Sequence, residues 1–218
     1  MEILYRDADM VAVDKPSGLA VHRGWADDEQ FAMTLTRDLL GQWVYPVHRL
    51  DRGASGVLVF GLSPAAAREL CGRFERHEVE KRYLALVRGN PPAHQLIEHA
   101  LVPESGAAPQ SARTDVRSLL QLGRYAWLEA RPHTGRLHQI RRHLKHISCP
   151  IIGDVKYGKG EHNRLFRERY ALHRLALHAA TLRLLDWKGA PLEIHAPLSR
   201  ELAHALELLR AERGIASH

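Results

Sequence analysis

Residues 47–60, reading VHRLDRGASGVLVF, hold the sharpest chemical signal in the chain. One carboxylate, Asp51, stands between Arg49 and Arg52. Gly53, Ala54, Ser55 and Gly56 follow as turn formers. Residues 57–60 are a β-branched and apolar run that reads as a buried strand. The pattern predicts an acid on a tight loop just before a core strand, and active sites are often built this way. A carboxylate so placed is a candidate active-site group. For an isolated Asp-Arg pair the plainer reading is a weak surface ion pair, so the assignment depends on the rest of the chain.

A second informative stretch is 131–147, RPHTGRLHQIRRHLKHI. Leu137, Ile140, Leu144 and Ile147 recur at helical spacing, which predicts a helix beginning near Thr134-Gly135. The other face carries Arg136, His138, Arg141, Arg142, His143, Lys145 and His146, and no carboxylate occurs between Glu129 and Asp154. Solvation is the ordinary reading of a basic face. This density of charge favours phosphate contact instead. His138, His143 and His146 make no i, i+4 pair and have no carboxylate nearby, so no metal is expected. There is no Gly-rich nucleotide-binding motif, so no cofactor is expected.

The elements that must position these groups read as follows. Residues 2–5 and 10–13 are short strands around a turn, and Lys15 stands at the mouth of the turn 14–18. A helix is predicted over 28–41, with Phe31, Leu35 and Leu39 inward and Gly41 closing it. Ser63-Pro64 caps a helix running to about His77, with Ala67, Leu70, Cys71 and Phe74 on one face. Residues 79–88 form a strand, 95–102 an edge strand, and 103–112 a flexible loop. Strands at 113–120 and 124–130 make a hairpin. The polar segment 159–174 reads as a partly mobile loop or short helix. Strands at 175–185 and 191–195 follow. Ser199 opens a final helix with Leu202, Leu206 and Leu209 inward and Gly214 at its end. That makes roughly nine strands and about four helices in mixed order, the pattern of an α+β domain on a large, mainly antiparallel sheet.

The 218 residues suit one domain, 1–218, with 45% apolar and 26% charged residues, as in ordinary globular proteins. The formal charge of +6 points to a polyanionic partner, nucleic acid first. Cys71 and Cys149 form no C-x-x-C pair, and a reducing compartment is the expectation. No signal peptide or membrane-spanning stretch is read in the sequence, so a cytoplasmic protein, expected to be a monomer, follows.

Taken together, the motifs resemble those of the RluA-type pseudouridine synthases. His48-Arg49-Leu50-Asp51-Arg52 with Ser55-Gly56 resembles the family's catalytic motif. Lys81 to Gly89, KRYLALVRG, resembles its tyrosine motif. Pro132 with Thr134-Gly135-Arg136-Leu137-His138-Gln139-Ile140-Arg141 resembles its third motif. Pro150-Ile151-Ile152-Gly153-Asp154 with Tyr157-Gly158, and the opening Val13 to Gly18 with Val21-His22, fit as well. The motifs occur in the family's order across almost the whole chain. Ala54 stands where members usually carry threonine, and an S4-type segment before the catalytic region is not expected. Val21-His22-Arg23-Gly24-Trp25 and the run Pro109-Gln110-x-Ala112-x-Thr114 are most similar to the tRNA pseudouridine synthase C type, which acts on uridine 65 of transfer RNA.

The resemblance implies an isomerase that detaches uracil from its ribose, turns it and rejoins it through C5, on a nucleotide flipped out of the RNA stack. It makes Asp51 the essential carboxylate, acting at the ribose, at uracil C6 or through a glycal. Arg136 corresponds to the arginine that pairs with this aspartate and keeps it ionised. Tyr83 corresponds to the tyrosine that stacks on the base and takes the C5 proton. His48, Arg49 and Arg52 are assigned to RNA contact beside the site, and Lys15, Arg141, Arg142 and Lys156 to phosphates. Three alternatives stand beside this reading: a ribosomal-RNA uridine as target, a non-catalytic RNA-binding protein, and a hydrolase pairing Asp51 with Asp154.

Overall fold

The computed structural model describes residues 1–22 and 30–215. Arg23, Gly24, Trp25 and the first two residues of the expected helix 28–41 lie outside the described residues. The chain divides into two compact units. The first comprises Met1–Lys81 and Ala179–Pro197, the second Arg82–His178 and Leu198–His218.

The first unit opens with the antiparallel strands β1 (Glu2–Arg6) and β2 (Met10–Lys15). The Asp7 carboxylate accepts the backbone N–H groups of Asp9 and Met10, each at 2.8 Å, and so builds the turn between them. Helix α1 (Ala32–Leu40) follows and ends on Gly41 at φ 66°. Its buried positions are Ala32 and Thr36, and Leu39 is 53% exposed. The inward face is therefore offset from the expected Phe31-Leu35-Leu39 stripe. The buried Thr36 hydroxyl is satisfied by donating to the Ala32 carbonyl at 2.7 Å.

The two-residue strand β3 (Tyr45–Pro46) pairs with β4 (Ser55–Gly61), in which every residue is buried. Helix α2 (Pro64–Glu75) starts as expected: the Ser63 hydroxyl accepts the Ala66 N–H at 3.1 Å, and Pro64 takes the first helical position. The strand order in this unit is β1-β2-β4-β9, with β9 (Leu177–Leu185) entering from the second unit and β10 (Pro191–His195) paired antiparallel to it. Met10, Ala12, Val47, Val57, Val59, Leu70, Val79, Leu182, Leu184 and Ile194 make its core. Burial of this apolar surface, about 25 cal/mol per Å², is what holds the loops before β4 in place.

In the second unit the strand order is β5 (Glu80–Arg88), β8 (Tyr125–Pro132), β7 (Arg113–Leu122), β6 (His94–Glu98), antiparallel throughout. β6 is the edge, as expected for this segment. Helix α3 (Gln139–His146) begins five residues later than the sequence pattern suggests. Segment 159–174 contains a helix, α4 (Gly160–Tyr170), with His162, Asn163, Phe166 and Tyr170 buried. Phe166 lies edge-on to Tyr125 at 4.8 Å and beside Tyr170 at 4.6 Å, which anchors this segment to the unit's core. Helix α5 (Arg200–Ala211) buries Leu202, Ala205, Leu206 and Leu209. Ten strands and five helices are thus found among the described residues, an α+β architecture. No helix among them is long and apolar enough to cross a membrane.

Candidate active site

The Asp51 loop belongs to the first unit. Val47, Leu50 and Ala54 are buried and fasten it to the core, and the Ala54 N–H donates to the Asp51 carbonyl at 3.0 Å. That closes a turn and leaves Asp51 half-buried between the exposed Arg49 and Arg52. The loop is stitched to the turn after β2. Ser17 Oγ donates to the Gly53 carbonyl at 2.6 Å, the Gly18 N–H to the Arg52 carbonyl at 2.8 Å, and Arg52 Nε to the Gly18 carbonyl at 2.9 Å.

Lys15 lies beneath this double loop, fully buried. Its ammonium donates to the carbonyls of Leu19 at 2.7 Å, Pro16 at 2.9 Å and Arg52 at 3.2 Å. Burying a charge is tolerable only when it is hydrogen-bonded, and three converging carbonyls meet that need. β4 begins directly after the loop. Gly56 sits at φ 109°, and a Cβ there would stand 2.2 Å from the Ala179 carbonyl oxygen on β9. Only glycine allows that approach.

His48 is held by this scaffold as well. Its Nε2 accepts the Val59 N–H at 2.9 Å, and its ring stacks on Phe74 at 4.5 Å. Burial, with the Lys81 charge beside it, pushes the imidazole down to about 3, so the ring is neutral at physiological pH. Where the short β3 stops pairing with β4, the His48 side chain takes over a strand donor.

In the second unit Tyr83 is half-buried on β5, opposite Ala130 of β8. Arg136 is exposed on the turn between β8 and α3, and its Nε donates to the Ser111 carbonyl at 3.1 Å. That turn is built by Gln139. Its Oε1 accepts from Thr134 Oγ1 at 2.6 Å and from the Arg136 N–H at 3.0 Å. Its Nε2 donates to the Arg113 carbonyl at 2.9 Å and to Thr114 Oγ1 at 3.0 Å. His143 Nε2 donates to the His99 carbonyl at 2.9 Å, which leaves Nδ1 to accept from the Thr114 hydroxyl at 2.9 Å. One buried network therefore sets the backbone on which Arg136 stands.

Residues 9–146 match the family described as RNA pseudouridylate synthase. The chain is 42% identical over 222 residues to the tRNA pseudouridine synthase C of Vibrio cholerae serotype O1, covering 91% of each. It is 42% identical over 230 residues to that of Salmonella typhimurium, covering 94% of this chain and 88% of the relative. Among solved structures, Human RNA Pseudouridylate Synthase Domain Containing 4 matches with a TM-score of 0.81 at 27% identity, over 96% of this chain and 93% of that one. The chain belongs to the RNA pseudouridylate synthase family. It is a pseudouridine synthase, an isomerase of uridine in RNA.

In this synthase three of the residues expected to touch RNA are engaged by the protein itself, Lys15 and Arg141 buried and His48 half-buried. Lys15 is sealed by its carbonyls. His48 is a neutral packing group and carries no charge for a phosphate. Arg141 makes a two-point ion pair with Asp154, Nε to Oδ2 at 2.7 Å and Nη2 to Oδ1 at 2.9 Å, with both side chains buried. Burial would raise the Asp154 carboxyl, but Arg141 and the N–H groups of Tyr157 and Lys156 outweigh it and hold it below the usual carboxylate range. Asp154 is therefore a structural anion, which removes the second carboxylate of the hydrolase reading.

Arg49, Arg52, Arg142 and Lys156 keep surface positions. Arg142 is half-buried with Nη2 on the Val102 carbonyl at 2.9 Å, and Lys156 meets Glu104 at 2.5 Å in an exposed pair. Thr114 and Gln139 lay within motifs of the sequence, but the network that joins them to His143 had no local signature there. Among the described residues no group of three metal-ligating side chains is assembled.

Proposed function

We propose that this pseudouridine synthase acts on transfer RNA, converting uridine 65, with Asp51 as the essential carboxylate. The observation that carries the substrate is the 42% identity, over 91% of both chains, to a relative named tRNA pseudouridine synthase C. In the reaction the C1′–N1 bond of the flipped nucleotide breaks, the uracil turns, and a C1′–C5 bond forms. C5 loses a proton and N1 ends with one, so uridine and product are isomers and no cofactor is consumed.

Asp51 forms or assists the ribose or base adduct. The third-motif resemblance assigns Arg136 as the arginine that orients that carboxylate. Tyr83 stacks on the base and takes the C5 proton. Arg49, Arg52, Arg142 and Lys156 meet the RNA around the flipped nucleotide. What supports the Asp51 assignment is its setting: a half-buried acid on a loop tied to a second loop by three hydrogen bonds and floored by a buried lysine. A preorganised group of this kind costs no reorganisation when the reaction occurs. We further propose that the enzyme works as a monomer in the cytoplasm, without a metal.

The test maps pseudouridine by carbodiimide-dependent primer extension in total tRNA and rRNA from cells with and without the gene. The expected result is loss of one tRNA site, restored by the wild type and not by Asp51→Asn. In single turnover, Asp51→Asn should be slower by at least about 10²-fold. Loss at a ribosomal site instead would retain the enzyme and replace its substrate. Wild-type rates from Asp51→Asn would overturn the catalytic assignment.

A further inference from the structure

At the far end of β5 from Tyr83 the second unit carries a cavity of about 520 Å³, lined by Arg88, Gly89, Asn90, Gly123 and Arg124. Its frame is fixed by backbone and amide contacts. The Gly89 N–H donates to the Arg124 carbonyl at 2.8 Å. Gln121 Nε2 reaches Asn90 Oδ1 at 2.6 Å, the Gly123 carbonyl at 2.7 Å and the Tyr125 carbonyl at 2.9 Å.

A third guanidinium stands beside the lining. A Cβ on Gly123, at φ 68°, would stand 2.8 Å from Arg213 Cζ, so the Arg213 head group lies over the hairpin turn. Among the described residues no carboxylate pairs with Arg88, Arg124 or Arg213. The acids beside them are engaged elsewhere. Glu161 lies 3.1 Å from His162 Nε2. Glu212 accepts from Arg169 at 2.9 Å and from the Tyr170 hydroxyl at 2.7 Å. Burial and the Arg88 charge lower the basicity of His162, and its Nδ1 lies 2.9 Å from the Tyr125 hydroxyl.

Two arginines line the cavity, and a third guanidinium, Arg213, lies over its Gly123 turn within reach of the Glu212 charge. None of the three is in a salt bridge among the described residues, and together they form a site for an anion. Guanidinium groups suit phosphate because they bind it at two points. The lining supplies no aromatic face and no apolar wall, so it offers nothing for a nucleobase to stack on. That favours the sugar-phosphate backbone over a free nucleotide. Arg88 is five residues beyond Tyr83 on one strand, about 17 Å at the usual rise. We propose that the Arg88-Arg124-Arg213 cavity is a second RNA contact, which holds backbone phosphates of the substrate about 17 Å from the tyrosine of the active site. This rests on the tRNA reading above.

The test measures filter binding of the whole protein to full-length tRNA and to a fragment centred on the modified uridine, too short to span about 17 Å. Salt is varied from about 50 to 200 mM. The Arg124→Ala/Arg213→Ala variant should bind tRNA roughly tenfold more weakly, with the log Kd–log salt slope reduced by about 1–2. Its binding to the fragment should match the wild type. Arg68→Ala, which removes an exposed charge on α2, should leave both slopes unchanged.

Equal losses on both RNAs, or no loss on either, would overturn the proposal. So would inorganic phosphate binding that Arg124→Ala/Arg213→Ala abolishes while tRNA binding stays intact, since that would mark a small-anion site. Wild-type conversion of the same tRNA is scored in parallel. No conversion with wild type would reject the tRNA reading and, with it, this assignment. Conversion with unchanged binding would reject the cavity alone.

Discussion

His48 shows how far a side chain's neighbours decide its chemistry. In the motif it stands three residues before Asp51 and is assigned to RNA. In the fold its Nε2 is consumed by the Val59 N–H, and burial holds the ring down to about 3. The consequence for stability has a definite sign. Below the ordinary value of about 6.5 an unfolded His48 takes up a proton, while the folded ring stays neutral until about 3. Its contribution is therefore complete above about pH 6.5 and is lost as pH falls toward 3, by up to about 1.4 kcal/mol per pH unit. Urea unfolding between about pH 6.5 and 4 should show a shallower slope for His48→Gln than for the wild type. Parallel slopes would mean that the ring titrates normally. Lys15 makes the same point without a titration. Three carbonyls from two loops converge on its ammonium, and no local pattern around DKPSG announces it.

Strands and capped helices were readable because their signals are local. The strand in 79–88, the Ser63-Pro64 cap and the all-apolar run before Gly61 each appear where the sequence places them. The start of α3 was not readable. Residues 134–138 keep the apolar spacing of a helix, yet they form a turn, because the Gln139 side chain bonds backward to Thr134 and Arg136 and across to Arg113 and Thr114. Partners some 25 residues away leave no periodic trace. α4 was partly readable: Phe166 and Tyr170 are four apart, and a basic surface masked them. Gly56 tests the element scale directly. It reads as a turn former, whereas in the structure it is the residue at which β4 meets the β9 backbone. Gly56→Ala adds a positive-φ penalty of about 1–3 kcal/mol to a 2.2 Å clash with Ala179. Thermal unfolding should therefore show a loss of at least about 3 kcal/mol, near the upper end for one substitution. A change below about 1 kcal/mol would mean that the two strands part at no cost.

Across the whole molecule the basic residues divide into structural and available ones, and net charge does not distinguish them. The formal +6 suggested a nucleic-acid partner, and the motifs assigned several of the cations to it. The fold assigns Lys15 and Arg141 to its own interior and leaves Arg49, Arg52, Arg142 and Lys156 near the surface. Arg141 decides whether this division is right, because it lies in the most basic helix and is 10% exposed against an Asp154 that is fully buried. Arg141→Ala strands a buried carboxylate and should cost about 3–5 kcal/mol in urea unfolding. Arg141→Ala/Asp154→Ala removes both charges, keeps the net charge, and should recover part of that stability. If Arg141 never meets a phosphate, the double variant binds RNA with the wild-type salt slope. If it does, the slope falls by about 0.7–0.9, the change expected for one lost contact. A stable Arg141→Ala with a reduced slope would return Arg141 to the RNA interface. An unstable single variant and an unaltered double-variant slope would fix it as the cation that orders the turn after α3.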